Sequence, residues 1–162
     1  MPLLKDGKLI DDPWTHLPDE VAIPASGPVI VGLKRWREER DSLLKRKDPV
    51  GVRLQSDHTA GDVAEDLDSL GLVALAFPVY RDGRAYTNAR RLRERHGYKG
   101  EVRAIGNVLR DQYMFMLRCG FDALEVKEGE TEQDWQKATS AITDVYQPAA
   151  DGKETVLQSR HR

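Results

Sequence analysis

The chain has 162 residues, enough for one domain with a sizeable core and short of two. Its 25 Lys and Arg against 27 Asp and Glu give a net charge of −2, which excludes a globally basic nucleic-acid binder. A single cysteine excludes an intramolecular disulfide, a CxxC redox pair and a cysteine-cluster metal site.

No apolar run approaches the roughly 20 residues of a membrane helix, and the N-terminus lacks the apolar stretch of a secretory signal. The expectation is a cytoplasmic protein with no membrane attachment.

Elements follow in chain order. Residues 3–5 and 8–10 flank Asp6-Gly7, the pair preferred in a tight type I′ hairpin turn. Four prolines between positions 11 and 28 make that stretch loop or extended chain, held down by Trp14. A short apolar strand is expected over 29–33, then a helix over 37–47 anchored by Leu43 and Leu44. A second strand covers 50–54. A helix over 61–70 presents Val63, Leu67 and Leu70 at helical spacing, with Thr59 and Asp62 as a capping box. The third strand is 72–77, and 84–96 is a helix stopped by Gly97. A fourth strand covers 101–105. Asn107 is expected to cap a helix running to Cys119 and stopped by Gly120, followed by a fifth strand over 123–126. Thr131 caps a last helix with Trp135, Ala138, Ile142 and Val145 on one face.

Apolar strands alternating with helices argue an α/β fold: a mostly parallel sheet of about five strands flanked by helices, with a small N-terminal β-hairpin. An open wound sheet and a partial β/α barrel both satisfy this pattern. Residues 1–146 make a single domain, and 147–162 read as a mobile tail.

Charge is segregated along the chain. Residues 79–118 carry ten cations and four anions, a net +6, while the segments on either side are each −4. Ligands of parallel α/β folds sit beyond the carboxyl ends of the strands. The ends are rich in cations and poor in paired acids, which suits a small anion better than general acid/base hydrolysis. Candidate ligand-binding residues are Lys34, Arg53, Arg81, Asp82, Gly83, Arg84, Arg103 and Asn107. The Asp82-Gly83-Arg84 turn is a candidate anion cradle, although Asp-Gly is also an ordinary turn.

On the 84–96 helix, Ala85, Ala89, Leu92 and His96 form the expected buried stripe. Arg84, Asn88, Arg91 and Arg95 lie opposite, with Tyr86, Arg90 and Arg93 at the boundary. Arg90, Arg91, Arg93 and Arg95 are the candidate partner-binding cations, with pairing to nearby acids as the structural reading. Arg103, inside a strand, must point into a barrel, a cleft or a carboxylate, and Asp111 is its expected partner. The helix at 108–117 is apolar nearly all round. It is either central in the core or the interface of a homodimer or partner. Cys119 closes a helix, a poor place for a thiolate nucleophile. His16, His58, His96 and His161 show no metal-ligand spacing, and no dinucleotide, Walker or GxSxG motif is present. No metal, no cofactor and no assignable catalytic residue is expected.

The run FPVYRDGRAYTNARRLRERHGYKGEVRAIGNVLRDQYMFMLRCGFDALEV, residues 77–126, resembles a bacterial family known as domain of unknown function 934. The resemblance extends to LLKDGKLIDDPW near the start and YQPAAD near the end. It implies a companion of assimilatory sulfite reductase, described as an oxidoreductase or an accessory subunit, and brings no catalytic residue set. The residues themselves carry neither iron–sulfur ligands nor a nucleotide loop. The expected function is therefore an accessory protein docking on the sulfite reductase catalytic subunit or its electron donor. The alternative is an enzyme or sensor binding sulfite, sulfate, phosphate or a sulfonucleotide. Nucleic acid ranks last, because few exposed aromatics accompany the arginines.

Overall fold

The structure is a computed structural model that describes residues 2–140 and 144–160. In chain order the elements are strands β1 (Leu3–Lys5), β2 (Lys8–Ile10), β3 (Thr15–His16) and β4 (Val29–Gly32), then helix α1 (Leu33–Leu43) and strand β5 (Val50–Leu54). A 3₁₀ segment (Ala60–Ser69), β6 (Leu72–Phe77) and α2 (Arg84–Arg90) follow; α2 continues as a π-helical turn over Arg91–Arg95. The remainder is β7 (Glu101–Gly106), a 3₁₀ turn (Arg110–Gln112), α3 (Tyr113–Cys119), β8 (Ala123–Glu125), α4 (Glu132–Ser140) and α5 (Val156–Arg160).

One sheet has the order β2-β1-β8-β7-β6-β5-β4-β3. Strands β3 to β8 are all parallel, and the hairpin joins antiparallel through β1 against β8. The expected five strands become eight. The additions are the two hairpin strands, which join the main sheet, and the two-residue β3, too short to show periodicity.

The sequential strand order selects the partial barrel over the wound sheet, and chain length explains why. Strand β2 is one edge and β3 the other, yet only residues 11–14 separate them. A flat eight-stranded sheet would hold its edges about 34 Å apart. Ile10 and Thr15 can be at most about 18 Å apart even on fully extended chain. The sheet therefore curls into a half barrel, with residues 11–14 as a strap across its concave side.

Each parallel strand alternates between two faces. The convex face carries Val29, Val31, Val52, Leu54, Val73, Leu75, Val102, Ala104 and Leu124, which pack with Trp36, Leu43, Leu92, Met116 and Trp135 in the main core. The concave face carries a smaller cluster of Ile30, Leu72, Ala74 and Ile105, with Trp14 of the strap against it. Small residues make the tight curl feasible. A Cβ on Gly51 would stand 3.0 Å from the Leu72 side chain and 3.1 Å from its carbonyl oxygen.

The hairpin forms at Asp6-Gly7, both residues having positive φ as a type I′ turn requires. The Thr59–Asp62 box forms as expected, the Thr59 N–H donating to Asp62 Oδ2 at 2.8 Å. Two helix starts and one strand end differ from expectation. Helix α1 starts at Leu33, straight from β4, and Trp36 is its buried anchor while Leu44 is exposed. Arg35 is also buried and donates to the Pro18 and Val21 carbonyls, so this charged stretch serves as packing surface. The helix expected from Asn107 begins only after Leu109. Gly106 has φ +94, the Asn107 N–H donates to the Phe77 carbonyl at 2.8 Å, and Leu109 is extended, so the chain keeps following β6. Strand β8 ends one residue early, at Glu125. Of the last helix's expected face, Ile142 lies outside the described residues.

The 147–160 stretch, expected as tail, carries α5 and runs back along the body. The Ala150 N–H donates to the Arg118 carbonyl, the Val156 N–H donates to that of Val145, and Thr155 is buried. Among the described residues no helix is long and apolar enough to cross a membrane.

The concave face is locked by charge. Arg103, 0% exposed, donates Nε to Glu101 Oε1 at 2.8 Å and Nη1 to Asp12 Oδ2 at 2.6 Å and Glu125 Oε1 at 3.3 Å. Lys5 Nζ holds the other Glu101 oxygen at 2.7 Å, and His16 Nε2 meets Glu125 Oε1 at 2.5 Å. The expected Asp111 partner is not used, because Arg103 points to the concave side whereas α3 packs in the core on the convex one. The His16–Glu125 contact joins β3 directly to β8, closing the curl with side chains. Burial acts to raise the Glu125 pKa, but the His16 hydrogen bond and the charges of His16 and Arg103 hold it below its ordinary value.

Breaking one side of such a buried network leaves carboxylates uncompensated, so Arg103→Met should cost about 3–5 kcal/mol. That lowers the melting temperature by something on the order of 10 °C, measurable by calorimetry. Because the folded pKa of Glu125 is depressed, its contribution is complete above the unfolded value of about 4.3 and is lost as pH falls through the folded one. Wild-type melting temperature should therefore fall between about pH 5 and pH 3, more steeply than that of Glu125→Gln.

Candidate functional site

The carboxyl ends of the parallel strands open at one edge, where most of the candidate residues lie. The loop after β5 and helix α2 are stitched together there by Asn88. Its Oδ1 accepts from the Ala60 N–H at 3.1 Å, and its Nδ2 donates to the His58 carbonyl at 2.9 Å. Asn88 is buried, not solvated as the helix wheel suggested, because this loop covers that face. Between loop and helix runs a cleft of about 320 Å³, lined by Ser56, His58, Arg84 and Arg91.

The Asp82-Gly83-Arg84 turn meets its own anion. Asp82 Oδ1 accepts from the Arg84 backbone N–H at 3.2 Å and from Nε at 2.9 Å, and Oδ2 accepts from Nη2 at 2.6 Å. Ser56 Oγ accepts from the same Nη2 at 3.0 Å. The Arg84 hydrogen bonds pull the Asp82 carboxyl far below the usual range. The Asp82 carboxylate thus occupies the position an external anion would take, and Gly83 is the exposed residue preceding the helix.

The other candidates separate widely. Lys34 is exposed on the first turn of α1, 3.9 Å from Glu38. Arg81 is exposed and lies over the Tyr80 ring, 5.8 Å from its centroid. Asn107 is half-buried after β7. Arg53 lies on the concave face, and Arg103 is sealed within it. Of the partner-binding set, Arg90 pairs with Glu94 at 3.0 Å. Arg93 is a clamp. It donates to the carbonyls of Gly120 at 3.0 Å, Tyr98 at 2.6 Å and Gly100 at 2.8 Å, and pairs with Asp122. Arg91 and Arg95 are exposed and have no partner among the described residues.

Beside this edge lies an apolar surface that the apolar helix only hinted at. Phe115 on α3 is 54% exposed, Tyr146 80%, and Val79 and Tyr80 about half exposed. Gln112 Nε2 donates to the Tyr80 carbonyl at 3.1 Å, tying the loop after β6 to the start of α3. Phe115 and Tyr146, with Met114 and Arg118, line a groove of about 360 Å³. Beneath it Tyr86 packs against Phe77, Phe115 and Phe121, and burial pushes its pKa up to about 12. Its hydroxyl is buried without a hydrogen-bond partner among the described residues. Cys119 is buried, and burial raises its thiol pKa, so it is not poised as a nucleophile. Among the described residues no three His, Cys, Asp or Glu side chains gather as metal ligands.

His16, Glu125 and Asp12 were not legible as a group, because contacts among the strap, an edge strand and a strand far across the sheet have no sequence spacing. Tyr146 was missed because it stands alone at the end of a helical pattern. The division among the arginines is directly testable. Arg93→Ala strips donors from three carbonyls and a carboxylate and should cost about 2–4 kcal/mol of unfolding free energy. Arg91→Ala should stay within about 0.5 kcal/mol of wild type in the same denaturant titration.

Residues 51–157 match the family model described as a bacterial protein of unknown function, DUF934. No curated protein matches the sequence. Since the match spans most of the chain and all the strands from β5 onward, the chain belongs to the DUF934 family.

Proposed function

We propose that this protein is a cytoplasmic accessory factor that acts by docking on a larger protein. The observation carrying this reading is the exposed aromatic pair Phe115 and Tyr146 lining the α3 groove, with Val79 and Tyr80 exposed on the loop that Gln112 ties to the start of α3. Folded monomers seldom leave a contiguous aromatic surface in water, whereas Tyr, Phe, Met and Arg are the residues that concentrate binding energy at protein interfaces. Arg81 stands at its rim, and Arg91 and Arg95 extend positive charge along the adjoining helix, a pattern that suits an acidic partner face.

The resemblance carried by residues 77–126 directs that partner to the catalytic subunit of assimilatory sulfite reductase or to its electron donor. The Asp82-Gly83-Arg84 turn does not support the anion reading, because Asp82 already pairs with Arg84.

Co-elution of the two purified proteins at low and at high salt tests this reading. A complex weakened by salt is expected. Phe115→Glu should abolish it without lowering the melting temperature by more than a degree or two, since Phe115 is over half exposed. The double variant Arg91→Glu, Arg95→Glu should weaken it several-fold and flatten its salt dependence. Absence of a complex with both candidate partners in either buffer refutes the docking reading.

A further inference from the structure

The free charge at the α3 groove has the opposite sign to that of the arginine-rich helix α2. One wall of the groove is a helical face: Asp111 of the 3₁₀ turn, Phe115 one turn on, and Arg118 a further turn along α3. The other wall is the chain around Asp144 and Tyr146. Asp111 and Asp144 are both exposed, and neither has a hydrogen bond or ion pair among the described residues. The nearby cations on the same stretch are turned to other acids. Arg118 pairs with Asp151 at 3.2 Å and donates to the Gln147 carbonyl, and Arg110 meets Asp134 at 3.3 Å and Glu130 at 4.0 Å. The groove therefore keeps two unanswered carboxylates.

Beside them the lining is apolar and aromatic, with Met114 and the exposed rings of Phe115 and Tyr146. Carboxylates next to exposed rings are the complement of a lysine or arginine side chain. Its methylene stem lies along apolar surface, its head reaches a carboxylate, and an aromatic face adds a cation–π attraction. An acidic segment would instead meet like charge at Asp111 and Asp144. The volume, about 360 Å³, lies at the low end for binding pockets, so the groove takes a few side chains and not a whole domain face.

We propose that the α3 groove receives a short basic segment of the partner, an apolar side chain flanked by lysine or arginine whose cations pair with Asp111 and Asp144. This rests on the docking reading and adds that the partner surface carries both signs. It is basic where it enters the groove and acidic where it faces Arg91 and Arg95. Opposite signs side by side set the orientation of the complex, since a reversed approach brings like charges together.

The test uses the full chain and two short fluorescent peptides, one with Leu and Phe between lysines, the other with each Lys replaced by Glu. Anisotropy titration at low salt should show saturable binding of the lysine peptide and binding about tenfold weaker, or none, for its acidic counterpart. The double variant Asp111→Asn, Asp144→Asn should bind the lysine peptide about tenfold more weakly, and so should Phe115→Ser, both melting within a degree or two of wild type. The control Glu65→Gln, Asp68→Asn removes the same charge from exposed positions on the 3₁₀ segment Ala60–Ser69 and should leave binding unchanged. Four results overturn the proposal: no saturable binding, a preference for the acidic peptide, an equal loss in the control, or a chain that sediments alone as a dimer and becomes monomeric in Phe115→Ser, which assigns the groove to a second copy. Co-elution separates this proposal from the docking reading. A complex formed at wild-type strength by the Asp111→Asn, Asp144→Asn variant keeps docking and refutes the basic segment. Lysine-peptide binding without any complex keeps the preference of the groove and refutes docking on the named partners.

Discussion

The four residues between β2 and β3 set the shape of the molecule. They join the two outer strands of an eight-stranded sheet, and so short a connection cannot reach across a flat one. Curling follows as a matter of length. Once the sheet curls, its concave side becomes a small interior that must be filled and neutralised, and the strap supplies both needs. Trp14 fills it against Ile30, Leu72, Ala74 and Ile105, and Asp12 reaches Arg103. The His16–Glu125 contact then fastens the first parallel strand to the last.

The same constraint decides what the arginines can do. Arginine dominates the basic segment, but burial and geometry divide the residues into different roles. Arg103 is consumed by three carboxylates inside the curl, Arg93 by three carbonyls and Asp122, Arg84 by Asp82, and Arg90 by Glu94. A guanidinium bound on several sides cannot also recognise a ligand or partner, since its donors point to fixed acceptors. The +6 of residues 79–118 is therefore largely an internal matter, answering acids from the acidic flanks such as Asp12, Asp122 and Glu125. What is left over among the described residues of that segment is on the surface: Arg81, Arg91, Arg95 and Lys99.

Local features were readable in the sequence wherever a residue's own backbone decides the outcome. Asp6-Gly7 turns, Gly97 and Gly120 stop helices, Thr59 boxes with Asp62, and the apolar runs at 50–54 and 72–77 are strands. The alternation of strands and helices gave the class of fold, leaving two architectures open. The choice between them rests on β3, whose two residues carry no period, and on the distance its connection must span. Partners of buried charges were equally hidden. Asp12 lies 91 residues from Arg103, and nothing in composition distinguishes it from Asp111, which is close in sequence and lies elsewhere. The stretch after Asn107 misled because a strongly apolar pattern outweighed Gly106, whose positive φ turns the chain, so that the Val108 N–H bonds back to the Gly106 carbonyl and the helix starts only after extended Leu109.

The aromatic groove is built from a loop and a short helix on the convex side, where Phe115 and Tyr146 are exposed but tied down by neighbours. Gln112 bonds the Tyr80 carbonyl, and Arg118 donates to the Gln147 carbonyl and pairs with Asp151. That arrangement presents apolar area with little left to order on binding, which favours a protein partner. The two sides of the half barrel differ because only the convex one is covered by helices. Its concave side is neutralised residue by residue, Arg103, Lys5 and His16 answering Asp12, Glu101 and Glu125.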